Sequence, residues 1–100
     1  MSLYLHTGRP TKADIIRGIL DYWDPCRAQN TESWYLLFYN YEAETIAQTL
    51  RKNSTPSTVA KNIKELIDAK LELEGKDYRV DNENATRVAK AMIEAVKRMR

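Results

Sequence analysis

The chain of 100 residues has one cysteine, one histidine, three glycines and three prolines. Cys26 alone cannot close an intramolecular disulfide, which agrees with a reducing compartment. His6 and Cys26 make no zinc-ligand cluster, and Gly8, Gly18 and Gly75 stand too far apart to form a phosphate-cradling loop. The longest apolar or aromatic run, Trp34 to Tyr39, is far short of the roughly 20 residues that span a bilayer. The first residues lack the apolar core of a signal peptide. These absences predict a cytoplasmic protein with no metal, no cofactor and no membrane partner. Catalysis would rest on carboxylates, lysines and hydroxyls alone, so an enzyme is not expected.

What is present is an ordinary globular balance, 43% hydrophobic and 30% charged. A chain of this length buries roughly two-thirds of its unfolded surface, enough for one core. The net charge of +2 conceals segregation: residues 13–50 carry −4, residues 51–64 carry +4 and residues 65–80 carry −2. The positive block holds Arg51, Lys52, Lys61 and Lys64 with no acid, so what that block forms bears most on the partner.

Periodicity and caps place the elements. Thr11 caps a helix with Asp14 in its first turn, and Ile15, Ile16, Ile19, Leu20 and Trp23 recur at helical spacing until Pro25 stops it. Trp34 to Tyr39 reads as a short helix ended by Asn40 in a left-handed conformation, with a strand as the alternative. Ala43, Ile46, Ala47 and Leu50 give a small helix over Glu42 to Leu50. After a turn at Arg51-Lys52-Asn53-Ser54, Thr55 caps a helix that opens with Pro56 and runs to about Ala69. Alternating residues on either side of Gly75-Lys76 read as a β-hairpin over 71–80. Asp81 or Asn82 then caps a last helix, in which Ala85, Ala89, Met92, Val96 and Met99 repeat at 3.5 residues.

Small helix, turn, longer helix opening Thr55-Pro56-Ser57-Thr58-Val59, then hairpin: in this order residues 34–80 resemble the winged helix-turn-helix of MarR- and ArsR-like DNA-binding regulators. The resemblance implies one mainly α domain over 1–100, with a lead and helix in 1–30, a winged core in 31–80 and a C-terminal helix in 81–100. It implies sequence-specific binding of double-stranded DNA, a role in transcription regulation and a homodimer joined through the flanking helices. The dimerisation residues would be Ile15, Ile19, Trp23, Ala85, Ala89, Met92, Val96 and Met99. Two features depart from the family: the turn is longer than usual, and the wing is not basic beyond its tip.

The DNA face follows from the helix opening at Pro56. At 100° per residue, Ser57, Thr58, Lys61 and Lys64 lie broadly opposite Val59, Ile63 and Leu66. Lysines and hydroxyls on an exposed face suit base edges and phosphates, and Asn62 on the flank suits adenine. Arg51, Lys52, Ser54 and Thr55 add charge and donors at the helix N-terminus, itself a phosphate-binding end. Lys76 stands at the wing tip. An interaction module of the same fold, or a viral or plasmid replication or partition factor, is the alternative use. Gly8-Arg9-Pro10 resembles the core of an AT-hook but lacks its further basic residues, and reads as a lead-in to the first helix. The aromatics at 34–41 and the Met92/Met99 stripe read as packing, and Cys26 has no assigned role.

Overall fold

A computed structural model describes residues 10–28 and 38–99. They form four helices: α1 (Lys12–Trp23), α2 (Asn40–Thr49), α3 (Pro56–Leu73) and α4 (Asn82–Lys97). α1 packs on α2, α2 on α3, α3 on α4 and α4 back on α1, so the helices form a closed ring of neighbours.

Local chemistry starts three of them as their sequences predict. The Thr11 hydroxyl accepts from the Asp14 N–H at 3.1 Å while the Asp14 carboxylate accepts from the Thr11 N–H at 2.9 Å. This reciprocal capping box closes the first turn of α1. The Thr11 N–H holds the Asp14 carboxyl below its ordinary pKa. Thr55 caps α3 ahead of Pro56, and Asp81 caps α4.

The wing expected over 71–80 is absent: no strand occurs among the described residues. Leu71 continues the α3 stripe one turn beyond Ile67, and both are fully buried. Burial at spacing four outweighs the two-residue alternation that had suggested a strand. Gly75, at φ 76°, is the left-handed residue just past the C-cap of α3. The Lys76 N–H donates to the Leu71 carbonyl at 2.9 Å and the Gly75 N–H to the Glu72 carbonyl at 3.1 Å. These two bonds are a Schellman motif, so Gly75-Lys76 ends a helix instead of turning a hairpin.

Asn40 is also reassigned. It opens α2 in place of closing an earlier helix, and Tyr41 follows it in the first turn. The Asn40 Oδ1 accepts from the buried Arg17 guanidinium of α1 at 3.1 Å, which anchors the start of α2. The helix or strand proposed for residues 34–37 lies outside the described residues.

The core sits where the stripes meet. α3 supplies Val59, Ile63, Ile67 and Leu71, and α4 faces them with Ala85, Ala89, Met92 and Val96, all at most 4% exposed. The dimer seam expected on these α4 residues is instead buried inside their own chain. Ile15, Ile19, Trp23 and Met99 are half-buried, with Ile19 and Trp23 packed against the same core.

One polar cluster ties the connection after α1 to the start of α2. The buried Tyr39 hydroxyl donates to Asp24 Oδ1 at 2.7 Å and accepts from the Cys26 N–H at 2.9 Å. The same Asp24 oxygen accepts from the Ala28 N–H at 2.9 Å. Burial, then the bond to Asp24, raises the Tyr39 pKa, and burial raises that of Cys26.

Gly18 lies in mid-helix with open space around it, so Gly18→Ala should stabilise the fold by about 1 kcal/mol. Gly75→Ala, at a left-handed φ, should cost about 1–2 kcal/mol, and urea unfolding of the two variants measures both. Tyr39→Phe leaves a buried N–H at Cys26 unbonded and should cost about 1–3 kcal/mol. The same variant should speed reaction of the Cys26 thiol with an aromatic disulfide reagent under native conditions, a rate read by absorbance.

Candidate nucleic-acid interface

The residues expected to contact DNA do not form one surface. Arg51, Lys52, Ser57, Thr58 and Lys61 are exposed at the N-terminal end of α3 and in the turn before it. The turn is internally bonded: the Arg51 N–H donates to Ser54 Oγ at 2.8 Å and the Ser54 N–H to the Arg51 carbonyl at 3.0 Å. Ser54 therefore shapes the turn. Thr55 is likewise engaged, since its hydroxyl accepts from the Thr58 N–H at 3.3 Å and lies 3.0 Å from the Thr58 hydroxyl.

Lys12 joins this end from the far side of the sequence. Its ammonium donates to the Leu50 carbonyl at 2.7 Å and the Ala47 carbonyl at 3.3 Å, neutralising the negative end of α2. The Arg51 guanidinium donates to the Gln48 and Leu50 carbonyls of the same helix end, at 3.0 and 3.1 Å. Two cations far apart in sequence, Lys12 and Arg51, thus meet on the Leu50 carbonyl. Nothing in the spacing of Lys12 could have revealed this, because the contact is purely tertiary.

The Lys64 ammonium donates to Asp68 Oδ2 at 2.8 Å and to the Val80 carbonyl at 2.6 Å, while Asp68 Oδ1 accepts from the Val80 N–H at 2.8 Å. Both polar groups of the Val80 backbone are held by this pair. The pair clamps the loop between α3 and α4 onto α3, which gives Lys64 a structural task. The Lys64–Asp68 spacing of four was visible in the sequence, but its target was not.

Asn62 and Lys76 stand apart from the exposed basic line and from each other. Asn62 is half-buried and lines a groove between α3 and α2. Lys76 follows the C-terminus of α3, whose 18 residues separate it from the N-terminal end by roughly 27 Å. With no wing to carry it, Lys76 lies at the opposite end of α3 from the basic turn.

The chemistry of the basic end is therefore that of Lys12, Arg51, Lys52 and Lys61, together with the hydroxyls of Ser57 and Thr58 and the N-terminal dipole of α3. Beyond Lys61 the exposed line of α3 turns acidic, through Glu65 and Glu72. Among the described residues no group of three or more His, Cys, Asp or Glu could hold a metal ion, and no helix is long and apolar enough to cross a membrane. The chain matches no family model, no curated protein and no solved structure.

The two lysines of α3 should separate cleanly in stability. Lys64→Met removes the clamp and leaves the Val80 carbonyl short of its donor, so it should cost about 1–3 kcal/mol. Lys61→Met touches only exposed surface and should stay within about 0.5 kcal/mol of the parent. Parallel urea titrations check both.

Proposed function

We propose that the protein binds duplex DNA through the turn at 51–55 and the first two turns of α3. The observation that carries this reading is the gathering of Lys12, Arg51 and Lys52 around the turn that leads into the N-terminal end of α3. Helix N-termini attract phosphate through unpaired N–H groups and the positive end of the dipole. Arg51, Lys52 and Lys12 add charge that recruits the anionic backbone, and such contacts fix register without reading sequence.

Lys61 stands about 7.5 Å along the helix from Pro56 at 1.5 Å per residue, on the same exposed line as Ser57 and Thr58. That line carries donors and acceptors suited to base edges in a major groove, which admits an α-helix. Insertion is limited to the N-terminal half of α3, because Glu65 and Glu72 would face phosphates farther along. Contact by one end of a recognition helix is a common docking geometry. Control of transcription is the use of this binding we propose. The reading sets no half-site spacing, since the α4 residues expected to join two copies are buried in the core.

A salt titration tests it. Affinity for duplex DNA should fall steeply between about 50 and 200 mM salt, as counterion release requires. The double variant Lys52→Ala with Lys61→Ala should flatten the log–log slope by about 2, roughly one per lost phosphate contact, with no change in unfolding midpoint. Absence of duplex binding at low salt would discard the reading, as would an unchanged slope in the double variant.

A further inference from the structure

Between α2 and α3 runs a groove of about 450 Å³. α2 lines it with Tyr41, Thr45, Ile46 and Thr49, and α3 with Leu66, Ala69 and Leu73 among others. Its walls are two helices joined by the turn 51–55 and bridged near the other end by the Glu42–Lys70 ion pair. From Tyr41 to Thr49 the wall extends about 12 Å, a little over two helical turns.

The rim of this groove is unusually apolar. Tyr41 is 69% exposed and Leu73 is 86% exposed, and with Tyr22 they are the large hydrophobic side chains most open to solvent among the described residues. An elongated occupant lying along the groove would cover both Tyr41 and Leu73. Side chains at i, i+3, i+4 and i+7 of a third helix match the length and the apolar floor, and helix-in-groove docking uses this pattern.

Charge selects the kind of helix. Glu42 is 5% exposed, and its Oε2 lies 3.4 Å from the Lys70 ammonium. Its Oε1 is buried with no hydrogen-bond partner. Lys70, which also lines the groove, lies over the Phe38 ring at 4.3 Å and the Tyr39 ring at 6.0 Å. Glu65 adds a second carboxylate to the lining. The charged groups lining the groove are thus Glu42, paired with Lys70, and the unmatched Glu65, so the groove keeps a net negative charge in an apolar setting, where it is weakly screened.

We infer that the groove between α2 and α3 docks an amphipathic helix of another protein, with an apolar face at helical spacing flanked by lysine or arginine. This surface is separate from the basic end proposed for DNA, and the two stand or fall independently.

The test uses a helix-forming peptide of about three turns with leucines at i, i+3, i+4 and i+7 and lysines flanking them, against the same pattern with glutamates. Binding is followed by fluorescence anisotropy and mapped by amide chemical shifts of the full chain. The lysine peptide should bind at least about tenfold tighter than the glutamate peptide, with shifts centred on residues 41–49 and 62–73. Tyr41→Glu and Leu73→Glu should each weaken it by about fivefold or more. Both positions are exposed, so the variants keep the fold, and duplex DNA binding should not change. The inference is overturned by equal binding of the two peptides, by shifts mapping elsewhere, or by groove variants that bind like the parent. It is also overturned if the chain self-associates and the same variants dissolve that association, since the groove would then hold a second copy.

Discussion

The structure depends on one apolar line along α3. Val59, Ile63, Ile67 and Leu71 are spaced by four and are almost fully buried. Burying side chains of this size contributes roughly 1.5–3 kcal/mol each before conformational entropy is subtracted. The line fixes three things together. It seats α3 against α4, carries the helix to Leu73, and turns Ser57, Thr58 and Lys61 outward on the opposite side. A change in its phase by one residue would rotate the polar face by about 100°.

Around this line the chain uses a few polar clasps at points where hydrophobic packing alone would leave loops undefined. Asp24 and Tyr39 organise the connection after α1, and Lys64 with Asp68 holds the Val80 backbone. Each clasp satisfies backbone groups that have no helical partner, an effect larger than the direct strength of the bonds because unbonded buried groups are costly. Lys12 and Arg51 do the same for the C-terminal carbonyls of α2 while gathering charge at one end of the molecule. Structural capping and the proposed recruitment of an anionic partner thus draw on the same side chains. The groove between α2 and α3 is the reverse case, where Glu42 keeps an unsatisfied oxygen and apolar side chains stay in water.

Much of the helical framework was legible in the residues. Thr11 with Asp14, Thr55 with Pro56, and Asp81 mark helix starts through short-range bonds that depend only on neighbouring positions. The hairpin reading failed because Leu71 and Leu73 alternate with glutamates, a pattern that fits a short strand and a helix end equally well. Leu71 was decided by the core it reaches, and Gly75 by the helix it terminates. The proposed site was partly legible. Exposure of Ser57, Thr58 and Lys61 followed from the phase of α3, whereas Lys64 and Asn62 lie on its flanks, where neighbouring elements decide whether a side chain meets solvent.

The sequence by itself determined where three helices begin, which face of α3 is apolar, and that positive charge concentrates between residues 51 and 64. These are local or periodic properties, set by cap chemistry, by 3.6 residues per turn and by composition. Only the tertiary structure decided that Lys12 joins the basic end, that Lys64 is spent on Val80, that the α4 seam faces inward, and that α2 and α3 leave a groove. Each of these depends on which distant surfaces meet, and that is settled by the joint burial of all four apolar stripes, not by any one of them.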